Sequence, residues 1–441
     1  DWLGMTHRPQ TGLEFSRQYV RYERLTDSST YVTPAATTTC TNGAGVTDSV
    51  ACNIGQTLNG WAGQYMKSRT RYATGEFDFT TTSWGSWLQD EITLGQLTLR
   101  PGVRVDSDDY MDKTTWAPRF SLEYDLFGDR TTLLNAGVNR YYGRSVSSWQ
   151  LQDGRNRLRF NETRDSLDKP WVVKSNAANQ VRFNQLDIPY DDELMLGVVQ
   201  QWAGVEYALK YVNRKGRDQV VQVSGKTLGE PSTDPTLASN YTTYTNDGKS
   251  ETDTYTLTVT PLQRWTLLGT QTGGQLALNW TDSKASAPTY VAAENLYYQN
   301  SVIQYQGSFI NYDDRPASNF NRPWTARLTT ITEIPQANLQ WSNFWRYRAG
   351  YKRIGDTGRN VDYMGTSVDV WEEQKFQAAL TWDTRLGWRI PTARDQNVFI
   401  NVDVFNVLDK KSVNANQTVN SNSVSTYEVG RQYWLEVGYA F

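Results

Sequence analysis

Over stretches of about ten to fifteen residues, apolar and polar side chains alternate one by one along this chain, and that rhythm constrains the fold more than any other feature. Between Leu97 and Val105, the residues Leu97, Leu99, Pro101, Val103 and Val105 fall on one side of an extended strand, with Thr98, Arg100, Gly102 and Arg104 on the other. Successive side chains of a strand point to opposite faces, so one face is apolar and the other carries two arginines. The pattern returns at Leu276, Leu278 and Trp280, at Phe376, Ala378, Leu380 and Trp382, and at Val398, Ile400, Val402 and Val404. Its last instance is Tyr433, Leu435, Val437, Tyr439 and Phe441.

Fourteen such segments can be read. They fall near 11–24, 82–93, 95–106, 117–127, 130–144, 190–201 and 203–215, then near 251–268, 274–283, 322–333, 337–352, 373–390, 397–408 and 428–441. Many exceed the roughly 5–6 residues usual in globular sheets and suit the ~9–11 that a tilted strand needs to cross a bilayer. Connections alternate in length. Tight turns at Leu94-Gly95-Gln96, Phe127-Gly128-Asp129 and Trp202-Ala203-Gly204 contrast with long polar stretches near 25–81, 145–189, 216–250 and 284–321. Short turns on one side and long loops on the other are the habit of outer-membrane barrels.

Composition agrees with this reading. Mean hydropathy is −0.64, and no run of about 18 apolar residues could cross a membrane as a helix. A barrel tolerates such polarity because only alternate residues face lipid. Aromatics make up 13% of the chain, with 17 Trp and 26 Tyr, as interfacial girdles require, although carbohydrate-binding sandwiches are also rich in them. The net charge of −3 gives no general electrostatic reason to expect a nucleic acid. The expected fold class is therefore all-β, a transmembrane antiparallel up-and-down β-barrel occupying residues 1–441. A soluble all-β binding protein is the minor alternative.

Two sets of motifs bear a resemblance to a known family. Ser86-Trp87-Leu88-Gln89-Asp90-Glu91-Ile92, Leu99-Arg100-Pro101-Gly102-Val103-Arg104-Val105-Asp106 and Ala117-Pro118-Arg119-Phe120-Ser121-Leu122 resemble the mid-barrel signature of TonB-dependent outer-membrane receptors. Asn401-Val402-Asp403-Val404-Phe405-Asn406-Val407-Leu408-Asp409-Lys410, Gly430-Arg431 and the terminal Phe441 resemble the end of the same barrel. The resemblance implies a barrel of about 22 strands that imports a scarce ligand, such as a ferric siderophore or a carbohydrate, across the outer membrane of a Gram-negative bacterium. It also implies TonB as partner through a plug not visible in this sequence, the barrel-assembly machinery, outer-membrane lipid and lipopolysaccharide, and a small extracellular ligand. Additional sequence before Asp1, about eight strands and a plug, is expected on this reading. The alternative is a self-contained, passive channel of fourteen strands, closed by pairing Gly12–Arg24 with Tyr433–Phe441.

Candidate residues follow from both readings. Arg100, Arg104, Asp383, Arg385 and Asp403 occupy polar positions of the alternation and are expected to face the lumen. Cys40 and Cys52, the only cysteines, predict a loop disulfide in an oxidising compartment, two free thiols being the alternative. Tyr141, Tyr142 and Trp149, near loop bases, are candidates for stacking on a ligand, with an interfacial girdle as the bland reading. Arg155, Arg157, Arg159 and Arg164 suit an anionic ligand, lipopolysaccharide phosphates, or plain surface charge. Asp106, Asp108, Asp109 and Asp112 have oxygen ligands for Ca²⁺ but lack the glycine and closing glutamate of an EF-hand loop, and a solvated acidic loop is preferred, as it is for Asp313-Asp314-Arg315. The single histidine, His7, is expected to precede the first strand, read from residue 11, which argues against a Ser/His hydrolase and against His-based haem capture. No catalytic, cofactor-binding or metal-binding set is expected, and the chain is not expected to be an enzyme.

Overall fold

A computed structural model describes residues 4–58, 60–175, 182–225, 242–285, 302–312, 323–393, 396–414 and 426–441. A sheet of fifteen strands dominates it. Fourteen follow one another as an antiparallel meander: β1 (Thr6–Arg24), β2 (Gly75–Leu94), β3 (Leu97–Asp108), β4 (Thr115–Asp125), β5 (Thr132–Tyr142), β6 (Tyr190–Trp202), β7 (Val205–Ser224), β8 (Thr242–Pro261), β9 (Thr270–Ala285), β10 (Trp324–Ile334), β11 (Leu339–Arg348), β12 (Ala379–Pro391), β13 (Asn397–Phe405) and β14 (Gln432–Ala440). Trp265–Leu267 is the fifteenth, folded back on β9. Each of the fourteen segments expected from alternation contains a strand of this sheet, but the one read as 373–390 is split, its start through Phe376 belonging to a different sheet and β12 beginning only at Ala379.

The register keeps the two faces distinct from strand to strand. Leu276, Leu328, Trp345 and Trp382 form one row across β9 to β12, and Leu386, Val402 and Leu435 form another across β12 to β14. On the opposite face Arg385 is set against Asp403, and Asn401 against Glu436. Apolar residues on the first face lie open, Leu13 at 88% and Leu435 at 70% exposure. A continuous apolar face of this extent is costly in water.

Short turns gather at one end of the meander. Ala203 and Gly204 (φ 51° and 76°) link β6 to β7, and Leu268 and Gly269 (φ 50° and 76°) precede β9. Positive φ at both central positions is the geometry that matches strand twist in two-residue hairpins. At the other end the long connections build structure of their own. Residues after β1 and after β5 combine in a five-stranded sheet in which Arg159–Thr163 pairs with Val172–Ser175 and Gly63–Tyr72, and Gly63–Tyr72 also pairs with Ser28–Thr37 and Cys52–Asn53. Helix α1 (Val146–Arg157) lies beside them. A separate four-stranded sheet joins Val302–Tyr305 and Ser308–Asn311 to Tyr351–Tyr363 and Thr366–Phe376.

Loop boundaries differ from the sequence expectation. β2 starts at Gly75, inside the stretch read as 25–81, while β7 reaches Ser224 and β8 starts at Thr242, both inside 216–250. Strand ends that reach beyond an apolar belt meet water on both faces, so their hydropathy no longer alternates although their hydrogen bonds continue. β8 ends at Pro261 rather than near 268, because proline has no N–H for the ladder. Among the described residues β1 pairs only with β2 and β14 only with β13, so the closure of Gly12–Arg24 against Tyr433–Phe441 is not formed.

Candidate functional site

The polar face is organised by ion pairs between neighbouring strands. Arg104 Nη2 lies 2.8 Å from Glu14 Oε2 and 2.8 Å from Asp106 Oδ1, joining β1 to β3 across β2. The residue of β2 between them is Gly85, where a Cβ would sit 2.7 Å from Asp106 Oδ1 and 2.8 Å from Arg104 Nη2. Glycine there leaves the space the guanidinium needs. Arg100 Nε is 2.9 Å from Glu91 Oε2, and Arg385 reaches Glu436 at 2.9 Å and Asp403 at 3.6 Å. Asp383 Oδ1 accepts the backbone N–H of Asn406 at 2.7 Å. The five residues expected to face the lumen share this polar face, each with a partner.

Helix α1 roofs this wall at the long-loop end. Its Gly154 has no room for a side chain, since a Cβ would lie 2.2 Å from the Phe77 ring of β2. Trp149 is buried and stacks on Phe183, which in turn meets Tyr244 at 4.4 Å between ring centroids. Met111, Leu186, Ile188 and Val220 complete that core. Arg144 pins the helix entrance by an ion pair with Asp108 and by donating to the Asp106 and Lys113 carbonyls at 2.9 and 3.0 Å. Between the first turn of α1 and the wall lies a polar cavity of about 270 Å³ lined by Glu14, Gln18, Arg104, Asp108, Arg144 and Ser147.

The three candidate aromatics do not converge. Trp149 is enclosed in the cap core and Tyr142, partly buried, packs against the same core. Tyr141 alone lies on the polar face, under the guanidinium groups of Arg119 and Arg214 at 5.0 and 5.7 Å. Of the basic loop residues, Arg164 is buried against Asp48 at 2.8 Å and over Trp171 at 4.5 Å, and Arg155 sits over Tyr22 at 5.9 Å. Asp108 and Asp109, where β3 ends, are engaged locally. Asp108 accepts the N–H groups of Tyr110 and Met111, and Asp109 accepts that of Thr82 at 2.9 Å. Asp313-Asp314-Arg315 lies outside the described residues. Cys40 and Cys52 are joined in a disulfide.

Sequence reasoning missed the cap. Its core residues are contributed singly by segments from Met111 to Tyr244, and isolated apolar residues so far apart leave no local period to detect.

An antiparallel meander of this length, apolar on one face and ion-paired on the other, with short turns at one end and built-up loops at the other, is the wall architecture of outer-membrane barrels. The chain is similar in sequence and structure to particular outer-membrane proteins. YddB of Escherichia coli is 28% identical over 444 aligned positions, covering 99% of this chain and 50% of that protein. The crystal structure of the outer membrane transporter YddB superposes with a TM-score of 0.72 at 26% identity, over 98% of this chain and 51% of that one. The siderophore receptor PiuA of Acinetobacter baumannii (TM-score 0.52, 13% identity, 99% of this chain and 53% of that one) and the ferric enterobactin receptor PfeA of Pseudomonas aeruginosa (0.53, 12%, 98% and 59%) share the fold. No family model matches the chain. The chain spans about half the length of the relatives it matches.

Proposed function

We propose that this chain forms the larger part of the barrel wall and the outer vestibule of a TonB-dependent outer-membrane receptor that imports a scarce small ligand into the periplasm. The observation that carries the reading is the two-faced meander, the match to the transporter YddB extending over 98% of this chain and 51% of that one. On this reading the apolar face meets lipid, the ion-paired face lines the lumen, and Arg100, Arg104, Asp383, Arg385 and Asp403 hydrogen-bond water or a plug. The five-stranded sheet and helix α1 stand on the extracellular side, and the cavity beneath α1 opens toward the lumen. β1 and β14 each have one unpaired edge among the described residues, and an unpaired edge in hydrocarbon costs several kcal/mol for each exposed backbone group. On this reading further strands close the wall. A passive barrel closed by β1 and β14 needs a ladder between them that is not formed among the described residues.

The test uses cells in which the complete protein is the sole route for a radiolabelled ferric siderophore. Uptake should require TonB and should stop when the inner-membrane proton gradient is collapsed. Equal uptake with and without TonB would replace the receptor by a passive channel, and a membrane extract whose gel migration does not change on heating would remove the barrel itself.

A further inference from the structure

The polar face changes character in the middle of the sheet. On β8, Thr252, Thr254, Thr256, Thr258 and Thr260 alternate, a ladder of hydroxyls along about 27 Å of strand at ~3.4 Å per residue. Opposite them β9 sets Ser283, Thr281, Asn279 and Ala277. Thr252 and Ser283 share a hydrogen bond of 2.9 Å, and Gln275 donates to Thr260 at 3.2 Å. Among the described residues, the polar faces of β8 from Thr252 to Thr260, of β9 and of β11 hold no carboxylate. The polar face of β10 holds only Glu333 at the short-turn end, engaged by Arg264 at 2.6 Å.

Cations border this neutral strip. Lys210 of β7 is in register with Thr256, and Arg327 of β10 with Ala277. Directly across from Arg327 stands Arg346 of β11. Like charges opposed on neighbouring strands destabilise each other, yet neither arginine has a carboxylate partner among the described residues, and the buried Arg346 Nε has no hydrogen-bond partner. Arg100, Arg104 and Arg385, by contrast, are each neutralised.

We propose that the sector from β7 to β11 is an anion-binding track in the lumen wall, in which Arg327 and Arg346 together take a polycarboxylate or other multiply charged oxyanion. Guanidinium groups bind such oxygens through paired charge-assisted hydrogen bonds. The threonine ladder supplies exchangeable hydrogen bonds along the rest of the path, and the acids of the sector's polar face among the described residues, Glu206 and Glu333, both stand at the short-turn end, so that the stretch beside Arg327 and Arg346 holds none. The proposal rests on the lumen reading given above and adds to it the wall along which an anion travels.

The test places the complete receptor in a planar lipid bilayer, opens its lumen with urea and adds citrate on the long-loop side. Citrate should block the wild-type current, and R327Q/R346Q should raise the half-blocking concentration about tenfold or more. R100Q/R385Q, with the same change in charge, should shift it by no more than about twofold. Equal weakening in both pairs, or an unchanged block in R327Q/R346Q, overturns the track. So does a variant that opens at lower urea with its block intact, since the arginines would then hold a carboxylate of the protein itself. If R327Q/R346Q fails to assemble, R327K/R346K keeps the charge, loses the planar fork and should weaken the block severalfold. A wild type without any current in urea overturns the lumen reading and the track together, whereas a current without the specific shift overturns the track alone.

Discussion

The Trp149 indole lies nearly parallel to the Phe183 ring, 4° between planes and 5.7 Å between centroids, and this pair ties helix α1 to the segment leading into β6. Both rings are almost wholly enclosed. Truncating a buried aromatic of this size costs about 3–5 kcal/mol. Trp149→Ala should therefore release the cap while leaving the fourteen-strand meander assembled. Limited proteolysis should cut within 145–189 in the variant, and heat-modifiable migration should persist. A cap that stays resistant would show that Phe183 and Tyr244 hold it without the indole.

The disulfide between Cys40 and Cys52 closes a short loop, and the chain-entropy account gives a loop of that length about 3 kcal/mol. Arg164 binds Asp48 within that loop, so the constraint extends to the neighbouring strand. Mass spectrometry of protein isolated without reductant should show two hydrogens fewer than the reduced chain. Reduction should raise hydrogen exchange at Asn42 to Ala51 and leave β3 unchanged.

Glu162 sits between Arg69 Nε at 2.6 Å and Arg71 Nε at 2.9 Å in the five-stranded sheet. Burial pushes its carboxyl up, but hydrogen bonds from Arg71 and Arg69 outweigh burial and hold the pKa below the ordinary glutamate value. The folded value lies below the unfolded one, near 4.3. The stabilisation is therefore fully present above that unfolded value and is lost as pH falls through the folded one. Exchange protection of Arg159–Thr163, corrected for intrinsic rate, should fall on acidification below about pH 4.3 in the wild type. Glu162→Gln should show weaker protection at neutral pH and no such fall.

How much of this was legible in the sequence follows from where the residues stand. The strands of the wall were, because a strand between an apolar and an aqueous face alternates, as Val398 to Val404 do. Arg104 and Arg385 were placed on the polar face by the same parity. Their partners were not, since Glu14 and Arg104 belong to strands that are not adjacent and meet only across Gly85. The enclosure of Trp149 was not legible, because a loop-base aromatic reads the same whether it waits for a ligand or fills a cap. Arg327 and Arg346 became informative only when the register set them face to face.

Leu268 has φ of 50° at the turn before β9 and is 93% exposed. A leucine pays roughly 1–2 kcal/mol in that left-handed conformation, which asparagine tolerates, and Asn-Gly is the favoured pair for such a turn. Leu268→Asn should stabilise the hairpin by up to about 1 kcal/mol and remove an exposed apolar side chain. Urea unfolding in detergent should show a higher midpoint with the same slope. A lower midpoint would mean that Leu268 is anchored in the interface, at the level of Trp265.

Val402 and Asn401 are consecutive residues of β13 with opposite environments. Val402 stands in the apolar row with Leu386 and Leu435, while Asn401 donates to Glu436 at 2.8 Å on the polar face. An arginine on a lipid face costs about 2–4 kcal/mol at the bilayer midplane and little near the interfaces. At position 401 the same side chain would meet the Glu436 carboxylate, which already receives Arg385. Val402→Arg should therefore reduce the assembled, heat-modifiable fraction in outer membranes several-fold, with Asn401→Arg close to the wild type. Leu435→Arg should behave like Val402→Arg, because the register puts both residues on one row. Equal tolerance at 401 and 402 would mean that the apolar face does not meet lipid, and the lumen assigned to the other face would go with it.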